Sequence, residues 1–254
     1  MSRFTSFDGV GIYYKCWRGK SDQPPVLLHH GYVAHSRVNW VIPGMVRRLN
    51  AAGRSVITLD ARGHGRSEKP HDAAAYGESR MAQDLRCLLD ELELTEVDLV
   101  GYSMGATVAL LATTEESRIR RLVIGGVGGD LLHLDSAYRS SGRKALSKAM
   151  LGSRWSIRNP MLLGFRLLAD MLWADRKAMA AQALAFHSRR IPLERITAPT
   201  LIIAGDSDPF ARQPHKLQKA VAGAELQVVP GDHTSVLLKP SFQGAIIEFI
   251  NRQG

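Results

Sequence analysis

The sequence predicts an α/β fold built on a mostly parallel sheet, and three observations carry that prediction. Short apolar runs with strand character alternate with helix-forming stretches from residue 26 to residue 127. Alternation of this kind means parallel strands joined by helical crossovers. One of these strands, residues 97–102, passes through Gly101-Tyr102-Ser103-Met104-Gly105 straight into the helix-forming residues 106–111. The alternation lapses between residues 130 and 190, then resumes with strands at 198–205 and 225–229.

Taken in order, residues 3–7 and 12–17 read as two strands around the Asp8-Gly9 turn, expected to form an antiparallel edge. Pro24-Pro25 precedes residues 26–30, a continuous apolar strand suited to burial on both faces. A helix is expected after Gly31-Tyr32, with Pro43 near its start and Val46, Leu49 and Ala52 at helical spacing before Gly53. Strand 55–59 delivers Asp60-Ala61-Arg62-Gly63-His64-Gly65-Arg66-Ser67 into a loop. Residues 78–94 form an amphipathic helix whose apolar face carries Met81, Leu85, Leu88, Leu89 and Leu92. After the central strand comes another at 121–127, and a helix through Ile246, Ile247, Phe249 and Ile250 closes the chain.

Residues 130–190 read as helices without a strand, rich in Met150, Met161, Met171, Met179, Trp155, Phe165, Trp173 and Phe186. We expect a helical cap at 130–190, lining an apolar pocket over a core domain formed by residues 1–129 and 191–254. The length of 254 residues suits one domain with such an insertion. No apolar run is long enough to span a membrane, and the first residues lack a signal-peptide core. A cytoplasmic protein is expected. Cys16 and Cys87 fall in a predicted strand and a predicted helix, and are expected as buried free thiols. The net charge is +9, and twelve basic against five acidic residues between Asp130 and Arg195 supply most of it. A basic lid attracts anionic substrates; a solvated helical face explains the same charge. No basic stretch interleaved with aromatics points to nucleic acid.

The turn at Ser103 is where chemistry is expected. A strand-to-helix turn this tight forces its central residue to positive φ, and side chains two positions away collide, which Gly101 and Gly105 avoid. The following helix aims its N-terminal N–H groups at any anion formed there. An ordinary N-cap serine is the competing reading, and it is decided by whether a base and an acid follow. Both do, at strand ends: Asp206-Ser207-Asp208 after residues 200–205, and Asp232-His233 after residues 226–229. A serine hydroxyl needs a base held against it and a carboxylate fixing that base.

With these motifs in order, the sequence resembles the α/β-hydrolase family over nearly its whole length. The likeness runs from His29-His30-Gly31-Tyr32 through Asp60 to Ser67, Gly101 to Gly105 and Gly205-Asp206-Ser207-Asp208, ending at Gly231-Asp232-His233. It implies an eight-stranded sheet flanked by helices, with Ser103 as nucleophile, His233 as general base and Asp208 as the acid. Asp206 is the competitor for that last role. It also implies an oxyanion hole from the Tyr32 and Met104 N–H groups, with His29, His30 and His64 as structural supports. The remaining histidines show no metal-ligand spacing, so no metal or cofactor is expected. Trp40 lines the pocket or packs in the core; both stay open.

The resemblance implies a serine hydrolase acting on a carboxylic ester, lactone or thioester, with a small apolar or weakly anionic acyl substrate, as a monomer or homodimer. Serine at 103 points away from relatives that use an aspartate there. Carbon–carbon bond hydrolysis and cofactor-free peracid formation of the haloperoxidase type are the alternatives. A receptor without turnover is the reading from another class.

Overall fold

The computed structural model describes residues 2–134 and 137–252. Asp135, one of the five acids counted above, lies outside the described residues, as does the side chain of Arg139. Strands β1 (Ser2–Thr5), β2 (Gly11–Trp17), β3 (Val26–His29), β4 (Val56–Leu59), β5 (Val97–Tyr102), β6 (Ile119–Gly125), β7 (Thr200–Gly205) and β8 (Glu225–Val229) form one sheet. Its order is β1-β2-β4-β3-β5-β6-β7-β8, eight strands in all. β1 and β2 are antiparallel, and every pairing from β4 to β8 is parallel.

Each central strand feeds both faces by simple alternation. Leu27, Leu99 and Ile202 face a cluster completed by α2 (Glu78–Glu91), α3 (Met104–Thr113) and Leu217 of α7 (Pro214–Ala220). Leu28, Val100 and Ile203 face the opposite cluster, completed by α1 (Met45–Ala51) and α8 (Pro240–Asn251). The central strands are therefore apolar along most of their length because both faces are covered. At the opposite end from the site, Asp98 of β5 is wholly buried and held by Arg54 and, at 2.6 Å, by Arg120.

Between β6 and β7 lie α4 (Ala137–Leu151), α5 (Pro160–Met171) and α6 (Arg176–Ala185). Asn159 caps α5 by accepting from the Met161 and Leu162 N–H groups, and Asp175 caps α6 by accepting from Lys177 and Ala178. Among the described residues no helix is long and apolar enough to cross a membrane.

Several expectations are corrected. The first strand ends at Thr5, and Phe7 is half exposed beyond it. The helix at Glu78 stops at Glu91, where Glu93 takes φ 49° and turns the chain back into β5. The helix after Tyr32 is two pieces: a wide turn over Arg37–Val41, then α1, with Pro43 and Gly44 at φ 91° between them. Cys16 is exposed, because it sits on the solvent-facing end of antiparallel β2. Of the large apolar residues in 130–190, Trp155, Met161, Met171 and Trp173 point to solvent, whereas Met150 and Met179 are buried. Trp40 packs in the core beside α1 with no exposure.

Candidate active site

Ser103 stands between β5 and α3 with φ 57° and ψ −117°, the positive-φ backbone that so short a turn demands. Its N–H donates to the Gly125 carbonyl at 2.8 Å, which anchors the strained residue to β6. The two glycines are explained by contact. A Cβ on Gly101 would meet the Gly105 carbonyl and lie 2.9 Å from Ala106 Cα. One on Gly105 would sit 2.7 Å from His29 Nδ1 and from the His30 carbonyl oxygen.

The three residues from distant strand ends meet. His233 Nε2 lies 3.0 Å from Ser103 Oγ, and His233 Nδ1 lies 2.8 Å from Asp208 Oδ2. The Asp208 side chain is fully buried and also accepts from the Phe210 N–H at 2.8 Å. Asp206 is elsewhere: it is exposed, and its Oδ1 accepts from the Gly231 N–H and the Ser207 hydroxyl. It shapes the turn before His233 and does not touch the imidazole.

Two further neighbours, which no motif singles out, hold His233. Tyr102 Oη donates to the His233 carbonyl at 2.7 Å, and burial pushes the Tyr102 phenol well up from its ordinary value. Phe210 packs its ring 4.5 Å from the imidazole. Asp232 caps the short helix that follows by accepting from the Thr234 and Ser235 N–H groups, and those bonds hold its carboxyl low.

The loop after β3 rests on a buried polar layer. Gly31 donates its N–H to Asn39 Oδ1 at 2.8 Å. His30 Nε2 accepts from the Ala61 N–H at 2.9 Å, so its Nδ1 carries the proton toward the Gly31 carbonyl. His64 Nε2 accepts from the Val33 N–H at 3.2 Å by the same logic, leaving Nδ1–H for the Arg62 carbonyl. Burial is the first cause that pushes His29 and His30 down to about 3 and His64 to about 4. These three are neutral struts, unavailable as bases near neutral pH. Asp60 braces the same layer by accepting from the Ser36 N–H and hydroxyl and from the Arg66 N–H.

Among the described residues, neither the Tyr32 N–H nor the Met104 N–H has an acceptor. Met104 opens α3, so its N–H is one of the orphan donors of a helix N-terminus. Above this point Tyr32 Oη donates to the Met179 carbonyl of α6 at 2.7 Å. The rings of Phe165, Phe186 and Phe210 continue the wall, with Tyr32 to Phe186 at 5.0 Å and Phe165 to Phe210 at 5.9 Å. Gln182 of α6, fully buried, places its Nε2 against the Met104 sulfur beside the nucleophile, and its Oε1 has no hydrogen-bond partner among the described residues. Among the described residues no three His, Cys, Asp or Glu side chains are grouped to hold a metal.

Comparison with known proteins finds relatives of the same fold. The sequence model of the alpha/beta hydrolase fold matches residues 24–190. An sn-1-specific diacylglycerol lipase of Danio rerio is 26% identical over 95% of this chain and 83% of its own. A serine hydrolase of Homo sapiens is 29% identical over 89% of this chain and 78% of its own. A bromoperoxidase structure from Bacillus anthracis, 26% identical, superposes with a TM-score of 0.75 over 99% of this chain and 100% of that one.

Proposed function

We propose that this chain, which belongs to the α/β-hydrolase fold family, is a serine hydrolase that cleaves a carboxylic ester or related acyl compound through an acyl-enzyme. The observation that carries the reading is the unbroken line from Ser103 Oγ to His233 Nε2 at 3.0 Å and from His233 Nδ1 to Asp208 at 2.8 Å. In this reading Ser103 Oγ attacks the acyl carbon while His233 Nε2 takes its proton. Asp208 keeps Nδ1 protonated and stabilises the imidazolium. The carbonyl oxygen becomes an anion between the Tyr32 and Met104 N–H groups, which contribute a few kcal/mol each. His233 then gives its proton to the leaving alcohol or thiol, and the acyl group stays on Ser103. Water, deprotonated by His233, releases the acid and restores the serine.

Residues 130–190 act as the cap over a core of 1–129 and 191–254, and their Phe165, Met179 and Phe186 favour an apolar or weakly anionic acyl group. The enzyme needs no cofactor and works in the cytoplasm, a reducing compartment that suits its two unpaired cysteines. Likeness to the bromoperoxidase supports a second reading, in which hydrogen peroxide takes the place of water and leaves as a peracid.

The test is incubation with a fluorophosphonate and with p-nitrophenyl acetate, butyrate and octanoate, beside Ser103→Ala. Labelling and turnover that vanish in the variant are expected. Labelling without ester turnover, together with peracid from acetate and peroxide, would favour the second reading. Absence of labelling would overturn both.

A further inference from the structure

Beyond the hydrolytic site, a cavity of about 530 Å³ opens on the far side of the loop that carries Tyr32, between antiparallel β2 and the turn after α5. That volume suits a small organic molecule. Its lining is unusual in charge. Lys15 and Arg37 have no carboxylate partner among the described residues, and Lys69 donates only to the Gly65 and Ser67 carbonyls. Burial holds the Lys69 ammonium below its ordinary value.

The two acids that share the cavity are already committed. Asp60 accepts from Ser36 twice and from the Arg66 N–H. Asp175 caps α6 and pairs with His71 at 2.9 Å. The lining therefore carries four basic side chains, Lys15, Arg37, Arg66 and Lys69, against these two carboxylates, an excess of positive charge at the cavity.

A second, independent feature points inward at the same place. Thr58 of β4 lines the cavity with no exposure, and its Oγ1 has no hydrogen-bond partner. An unsatisfied buried hydroxyl costs stability unless something binds it. It stands opposite Lys15 in the β2–β4 register. The apolar surface is equally placed. The Trp17 ring lies under the Lys15 ammonium at 4.7 Å, and Trp173, at φ 52°, holds an indole that is 94% exposed at the rim. A tryptophan left in water beside unpaired cations is the arrangement of a binding site awaiting an amphiphile.

We propose that this cavity binds a small organic anion, a carboxylate or phosphate monoester on a planar apolar body. Lys15, Arg37 and Lys69 hold the head, Thr58 Oγ1 donates to it, and Trp17 and Trp173 flank the body.

Calorimetric titration of the Ser103→Ala protein with benzoate, phenyl phosphate, inorganic phosphate and neutral benzamide tests this. Saturable binding of benzoate or phenyl phosphate is expected, without binding of benzamide. Tighter benzoate assigns a carboxylate, tighter phenyl phosphate a phosphate ester, and weaker inorganic phosphate assigns the body to the two tryptophans. Replacing Lys15→Gln together with Arg37→Gln, both at exposed positions, should weaken binding about tenfold or more. The isosteric Thr58→Val should weaken it severalfold. Absence of saturable binding, equal binding of benzamide, or affinity untouched by these substitutions would overturn the proposal. None of these readouts depends on turnover, so they stand apart from the outcome of the fluorophosphonate test.

Discussion

Gly105→Ala probes how tightly the nucleophile turn is locked against the loop beside it. The added Cβ would lie 2.7 Å from His29 Nδ1 and 2.7 Å from the His30 carbonyl oxygen, and closer still to the His29 carbonyl. None of these atoms is the tip of a flexible side chain. His29 is fully buried, and the two carbonyls belong to the last residue of β3 and the one that follows it, with β3 held between β5 and β4. Relief must come from moving α3 off the sheet or bending the Tyr32 loop. Overpacking of a closed site costs about 1–3 kcal/mol, and three such contacts place this one at about 3 kcal/mol. For a chain of this size that is a fall in Tm of roughly 6–12 °C. Gly164→Ala is the matched control, since Gly164 is exposed on α5 with nothing within 4 Å of an added Cβ. There the methyl should stabilise by about 0.5–1 kcal/mol through helix propensity. Calorimetric scans of both variants beside the parent decide the matter. A Gly105→Ala protein melting within a degree or so of the parent would refute the steric account.

The remaining predictions concern the acid and the buried histidines. Asp208→Asn should lower kcat on an ester substrate by about 10⁴, because the amide favours the wrong imidazole tautomer, with KM little changed. Asp206→Asn should stay within about tenfold of the parent, since only an exposed turn is affected; equal losses in the two would contradict the assignment. His29, His30 and His64 have folded values of about 3, 3 and 4 against an ordinary 6.5, so the unfolded chain takes up more protons below 6.5. Their stability is fully present above that value and is lost as pH falls toward 4 and then 3, by up to about 1.4 kcal/mol per pH unit for each histidine. Urea midpoints should therefore drop between about pH 7 and about pH 5, and His64→Gln should flatten the slope; identical midpoints at the two pH values would refute the neutral buried layer.

What was legible in the sequence was what local sterics and strand ends decide. The requirement for Gly101 and Gly105 follows from backbone geometry within five residues, and Ser103 at φ 57° meets it. Asp208 follows the apolar run of β7, buried along its whole length, whereas His233 follows β8, an edge strand that is mostly exposed and carries Glu225 and Gln227, so its signal is the strand end and not burial. The choice of Asp208 over Asp206 rested on resemblance, and the structure separates them by burial. Less legible was everything set by which face a neighbour covers. Cys16 lies in a real strand, yet on the solvent-facing end of an antiparallel edge strand. α5 carries apolar residues on several sides, so its pattern has no single phase. Leu162, Phe165 and Leu168 pack inward, and Met161, Leu167 and Met171 remain outside. Phe210 follows Asp208-Pro209 with no periodic signal at all, and only the fold brings it against His233.

The same division explains why the chemistry is more sharply specified than the substrate. Electrostatic stabilisation of a developing oxyanion is effective only if the donors are fixed before charge appears, since reorganising them would consume the gain. On the proposed reading one donor is fixed by α3 itself. The other, Tyr32, sits in a loop that would move freely if its neighbours were held by water. Instead Gly31 is tied to Asn39, Val33 to His64 and Ala61 to His30, through imidazoles that burial keeps neutral and hence as acceptors at Nε2. Protonating either His30 or His64 would turn that acceptor into a donor facing an N–H, so the depressed values and the rigid loop are one property. The aromatic wall beside this loop has no comparable constraint. It comes from Tyr32, Phe165, Phe186 and Phe210, which touch ring to ring across separate loops and helices. Phe165 and Phe186 make no ring contact with His233, so on the proposed reading exchanging either alters the wall while leaving the Ser103–His233–Asp208 hydrogen bonds in place.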